Sequence, residues 1–97
     1  MKTIEYYVKN EDIRNPKNAK EIVNDLFFGK DETEYIFVVD YKNTDNPIVT
    51  MSTGLIFQDF VNRGLAKVII KNHKYKDKLL ENPTIKLLMK HSQLEVW

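Results

Sequence analysis

The run Tyr35-Ile36-Phe37-Val38-Val39 constrains the fold most, because five consecutive residues, all β-branched or aromatic, leave no polar face to turn toward water. Bounded by the charges of Glu34 and Asp40, it reads as a central strand covered on both faces. Leu65 to Ile70, with Val68-Ile69-Ile70 at its centre, reads as a second buried strand. Thr3 to Val8 alternates instead, with Ile4, Tyr6 and Val8 set against Thr3, Glu5 and Tyr7. That is the period of a strand with one buried face, as expected near a sheet edge. Leu94-Glu95-Val96-Trp97 alternates in the same way and predicts a final strand.

Between these runs the period changes. Ala19, Ile22, Val23, Leu26 and Phe27 recur at helical spacing, and Gly29 stands where a left-handed terminal residue is wanted. Asn15-Pro16 supplies a capping side chain and a first-turn proline for this helix, while Asn18 and Glu21 offer a capping box one turn later. A second stripe, Ile56, Phe57, Phe60 and Val61, predicts a helix from Thr53 to Arg63 that stops at Gly64. Leu79 and Leu80 predict a short helix broken by Asn82-Pro83, followed by another stripe at Ile85, Leu88 and Met89 running toward His91. One kinked helix or two short ones satisfy that pattern. Asp40 to Pro47, rich in Asn and Asp, reads as an exposed loop, after which Ile48 and Val49 lead back inward.

Strands and helices thus alternate along 97 residues, which favours a single α/β domain with a small four-stranded sheet, mainly parallel or mixed, and crossover helices on both faces. Hydrophobic residues at 42% and charged residues at 30% fit a soluble globular chain, and no apolar stretch approaches the ~20 residues of a membrane span. With no cysteine there is no disulfide, thiolate zinc site or thiol nucleophile, so a cytoplasmic setting is expected. Fifteen Lys and Arg against fourteen Asp and Glu argue against a dedicated nucleic-acid binder. Exposed strand edges would permit a homodimer.

Chemistry concentrates at Thr50-Met51-Ser52-Thr53-Gly54-Leu55, where a hydroxyl pair and a glycine open the second helix. The first N–H groups of a helix lack internal partners, so Ser52, Thr53 and Gly54 are a candidate anion-binding or phosphorylation site. Phosphorylation of Ser52 would set about two negative charges there. The plain alternative is that Ser52 or Thr53 caps the helix and Gly54 permits close packing.

The order Val38-Val39-Asp40, then Ser52-Thr53-Gly54-Leu55, an apolar helix and Lys67-Val68-Ile69-Ile70 resembles STAS domains, the fold of anti-sigma factor antagonists and anion-transporter tails. The similarity spans roughly residues 18 to 82 and rests on topology; Met51 stands where the family usually carries an acid. The resemblance implies that Ser52 corresponds to the regulatory phosphoserine and that the following helix meets a protein partner, through Met51, Leu55, Gln58 and Asp59. On this reading the chain is a small noncatalytic regulatory interaction module without cofactor or metal.

Two other readings stand beside it. A phage or mobile-element inhibitor of a host protein would also be small and free of cofactor motifs. An enzyme of nucleotide or phosphate chemistry would use Asp40, at a strand's carboxyl end, with Ser52 and Thr53 in one crevice, although no glycine-rich phosphate loop or triad is present. His73 reads as part of a solvated turn and His91 as a cation near a helix end. Lys67, Lys71, Lys74, Lys76 and Lys78, with Tyr75 between them, read as a solvated face diluted by Asp77 and Glu81.

Overall fold

The computed structural model describes residues 1–9 and 12–97, and all structural statements concern these. The elements follow in the order β1 (Lys2–Tyr7), α1 (Pro16–Leu26), β2 (Tyr35–Asp40), α2 (Met51–Asn62), β3 (Lys67–Lys71), α3 (Lys76–Glu81), α4 (Pro83–Lys90) and β4 (Leu94–Val96). A 3-10 turn at Glu32–Glu34, capped by Asp31, feeds β2 and has no counterpart in the sequence reading. Asn15 starts α1 by accepting the N–H groups of Lys17 and Asn18, with Pro16 at the first helical position. Asn82-Pro83 does divide the third helical region, giving two short helices rather than one kinked one.

The sheet is wholly parallel, in the order β1-β2-β3-β4. The alternating first and last strands therefore occupy the edges. Each strand joins its neighbour through a crossover, and crossovers of the usual right hand deliver every helix to the same side. The core records this one-sidedness: Phe37, Val39, Val68, Ile70 and Leu94 point into it from the strands, meeting Val23, Phe57, Leu79 and Ile85 from the helices. Ile36, Val38 and Ile69, at intervening positions, line a shallow recess on the other side. The expectation of helices on both faces is thus corrected. Apolar runs at β2 and β3 suggested two covered faces, but a strand order that never reverses supplies helices to one.

Helix ends show how closely the chain follows local rules and where it departs from them. α2 ends at Arg63 and is followed by Gly64 at φ +91°, whose N–H donates to the Val61 carbonyl. α4 ends the same way, with Ser92 N–H donating to Met89 and Gln93 N–H to Leu88, but Ser92 sits at φ +58° with a side chain that this region disfavours. Ser92→Gly is therefore expected to raise stability by about 0.5–1 kcal/mol, read as a rise of a few degrees in the thermal midpoint.

Candidate functional site

α2 carries every residue of the candidate partner surface, and its 100° turn per residue divides them among three directions. Met51 and Leu55, one turn apart, form its crest and are 68% and 55% exposed. Gln58 follows Gly54 by one turn on the flank toward α4. Asp59 turns toward α1, where it lines a groove of about 270 Å³. The groove's floor is apolar, made by Ala19 and Val23 of α1 with Ile56 and Phe60 of α2, and its rim is polar, with Lys20 facing it from α1. Ser52 lies on the same flank as Ile56 and Asp59, one and two turns earlier. Arg63 closes the far end, its Nε donating to Glu32 Oε1 at 2.6 Å and its Nη1 to Asn24 Oδ1 at 2.8 Å. The amphipathic stripes of both helices were legible in the sequence; the groove between them depends on how far apart the crossovers set them.

The start of α2 is tighter than its sequence suggests. Its N-cap is Thr50, one turn before Thr53, and Thr53 Oγ1 accepts the Thr50 N–H at 3.0 Å while the Thr53 N–H donates to the Thr50 carbonyl. Neither Ser52 nor Thr53 is the capping residue, so the expected start at Thr53 is corrected to Met51. Thr53 is buried by this arrangement, and Ser52 is left half-exposed. Gly54 lies against the start of α4, where a Cβ would stand 2.5 Å from Asn82 Oδ1 and 2.8 Å from the Thr84 Cβ. Asn82 has no freedom to retreat: Oδ1 accepts the N–H groups of Thr84 and Ile85, and Nδ2 donates to the Thr50 carbonyl.

Asp40 sits apart from these hydroxyls. Its position in β2 faces away from the helices, whereas Thr53 packs on the helical side, next to Tyr41 and Thr44 around a recess of only about 20 Å³. Burial works against the charge of Asp40. Donation from Asn72 Nδ2 and the Lys42 N–H to Oδ1, together with the nearby Lys71, outweighs it, holding the carboxyl below its ordinary value. Asp40 thereby satisfies two loops.

His73 corrects the expectation of a solvated turn. It is 3% exposed, packs edge-on to the Tyr41 ring at 4.7 Å, and accepts the Tyr75 N–H on Nδ1. The proton therefore sits on Nε2, which has no partner among the described residues. Burial pushes its pKa down to about 4. Its neighbours seal the loops around it: Lys74 pairs with Asp45, and the Tyr75 hydroxyl donates to Asn46. His91 caps α4 and is exposed.

The basic run is divided by the fold. Lys67 and Lys71 lie on the bare face of the sheet, Lys67 paired with Glu95, whereas Lys74, Lys76 and Lys78 surround the start of α3. Among the described residues no three His, Asp or Glu side chains cluster to hold a metal, and no helix is long and apolar enough to cross a membrane.

No family model, curated protein or solved structure matches the chain. Function must be argued from the geometry alone.

Two outcomes follow from these contacts. Gly→Ala inside a helix ordinarily stabilises by about 1 kcal/mol, but Gly54→Ala is expected to cost about 2 kcal/mol or more, because its methyl displaces the Asn82 cap; chemical denaturation measures the sign. His73 stays neutral in the folded chain down to about pH 4, while the unfolded chain takes up that proton near the ordinary 6.5. The unfolded state binds the extra proton in that window, so stability falls as pH drops through it. His73→Gln should flatten this slope by up to one proton, measured by denaturation at stepped pH.

Proposed function

We propose that the protein is a noncatalytic, STAS-like regulatory module that receives a protein partner across α2. The observation that carries this reading is the exposure of Met51 and Leu55 on the crest of α2, beside an apolar-floored groove whose rim holds Lys20 and Asp59. Neither of these charges has an ion-pair partner among the described residues. A partner segment with two or three apolar side chains on one helical face would cover the crest and reach the floor, and flanking charges would set its direction. Burying one large apolar side chain contributes about 1.5–3 kcal/mol, so the two on the crest give at most about 3–6 kcal/mol, and contacts along the groove must supply the rest of what association costs.

Ser52 supplies the regulatory element of the proposal. It is half-exposed on the groove flank, in the first turn of α2, where a phosphate finds free N–H groups and a favourable dipole. The same charge would oppose an acidic partner segment and remove the apolar continuity of the flank. The opposite placements of Asp40 and Thr53 across the sheet favour this binding reading over phosphate chemistry shared by those residues with Ser52.

Affinity capture from extracts of the source cell with four forms of the chain tests the reading. Wild type and Ser52→Ala should retain the same partner, Ser52→Asp should weaken capture about tenfold, and Leu55→Glu should abolish it. Equal capture by wild type and Leu55→Glu would overturn the α2 surface, and equal capture by Ser52→Asp and Ser52→Ala would remove the switch. A rise of several degrees in the thermal midpoint with a nucleotide or cyclic oligonucleotide would instead support the enzyme reading.

A further inference from the structure

We propose that the sheet face opposite the helices is the interface of a reversible homodimer, its occupant a second copy of this chain. Wholly parallel sheets are nearly always covered on both faces, and this one has helices on one. Its bare face is nevertheless apolar at the centre. Val38 and Ile69 stand opposite each other in the ladder and Ile36 lies one step along, none of them part of the helix-side core. Val38 and Ile69 are only 8% and 6% exposed, and Glu5, Lys67, Lys71 and Glu95 line the recess around them. The Lys67 Nζ–Glu95 Oε2 pair at 2.7 Å and Lys71, 5.9 Å above the Trp97 ring, flank this centre. Met1 and Trp97, both exposed, mark the recess's outer limits.

The charge pattern selects the occupant. Glu5 and Glu95 are matched on this face by Lys67 and Lys71, while Asp40 is engaged by Asn72 and Lys42. With Glu5, Asp40 and Glu95 against Lys67 and Lys71, this surface carries both signs and no positive excess, so it offers little to a nucleic acid or an anionic membrane. Two copies related by a twofold axis place like surfaces together, and such an interface must complement itself, which a mixed-sign rim allows. Size sets the strength. Four strands at ~4.8 Å and five residues at ~3.3 Å give a face of about 19 by 17 Å, or roughly 500–600 Å² per copy with side-chain relief. That is below the ~800 Å² per partner of a standard interface, so the dimer is weak and exchanges readily.

Trp97, the only tryptophan of the chain and 52% exposed, reports on the face directly. Sedimentation velocity and tryptophan emission are followed together from ~1 to ~500 µM, a range that brackets a weak dimer. The expected result is a mass increase and a blue shift with one common midpoint. Ile36→Glu, and Thr3→Arg at an exposed site on the same face, should each move that midpoint at least tenfold higher while the circular dichroism stays unchanged. Leu55→Glu, on the α2 crest, should leave it where it is, so failure of this interface and failure of the α2 reading are separately visible. A chain that is monomeric throughout overturns the proposal. So does a dimer that persists in Thr3→Arg and Ile36→Glu, or one whose tryptophan emission does not shift.

Discussion

Four parallel strands laid down in chain order, each joined to the next by a crossover of the same hand, force all the helices to share one side of the sheet. Everything else in the molecule adjusts to that. The helical side receives the whole close-packed core, and the other must be closed by the strands' own side chains. This accounts for long residues such as Lys67, Lys71 and Glu95 next to Val38 and Ile69: their aliphatic stems cover apolar neighbours while their charged ends reach water or one another. The order also removes the crevice at which many α/β proteins bind ligands, because that crevice forms where the strand order reverses. The recess found beyond the carboxyl ends of β1 and β2 is accordingly only about 20 Å³.

On the helical side the layers are joined by aromatic rings meeting edge to face. Phe37, wholly buried in β2, touches Phe27 at 5.5 Å and Phe60 at 5.4 Å, and these extend to Tyr35 and Phe57 at 5.6 and 5.4 Å. Each such pair contributes about 0.5–1.5 kcal/mol beyond the area it buries. The chain of rings runs from the end of α1 across β2 into α2, so the walls of the α1–α2 groove rest on a common rigid base. Arg63, bonded to Glu32 and Asn24, fixes one end of the groove from the surface. The two helices that wall the groove are thus tied to the same strand as well as to each other.

Much of this was legible in the sequence for physical reasons that can be named. Period-2 runs at β1 and β4 marked edges, the helical stripes marked α1 and α2, Asn15-Pro16 marked a helix start and Asn82-Pro83 a helix break, because each of these signals is local. The number of covered faces was not legible, since Tyr35 to Val39 has the same apolar pattern whether a helix or a neighbouring lysine stem covers it. His73 was misread for a related reason: Lys71-Asn72-His73-Lys74 is polar as a string, yet Asn72 at φ +59° turns the imidazole under Tyr41. Thr50 was passed over as a cap because Ser52 and Thr53 are equally good capping residues by type, and the Thr50–Thr53 bonding and the Asn82 amide on the Thr50 carbonyl distinguish it only in the folded chain. The candidate site was half visible: Leu55 and Asp59 belong to a helix the sequence defines, whereas Met51 enters that helix and Lys20 faces it only through the fold.

Asn82 has a consequence for how the chain folds as a unit. One amide group starts α4 with its oxygen and holds the carbonyl before α2 with its nitrogen, so the beginnings of two helices share a single point of attachment. Regions of a protein that open separately do so where few bonds cross between them. Here the crossing bond lies at the root of both helices, and the segment from α4 to β4 cannot lift away as an independent flap without losing that bond and the close packing of Gly54 on Asn82 and Thr84. The carboxyl-terminal quarter of the chain is therefore part of the cooperative unit that presents Met51 and Leu55, and fluctuations that expose the edge strand β4 should be as rare as those that loosen the α2 crest.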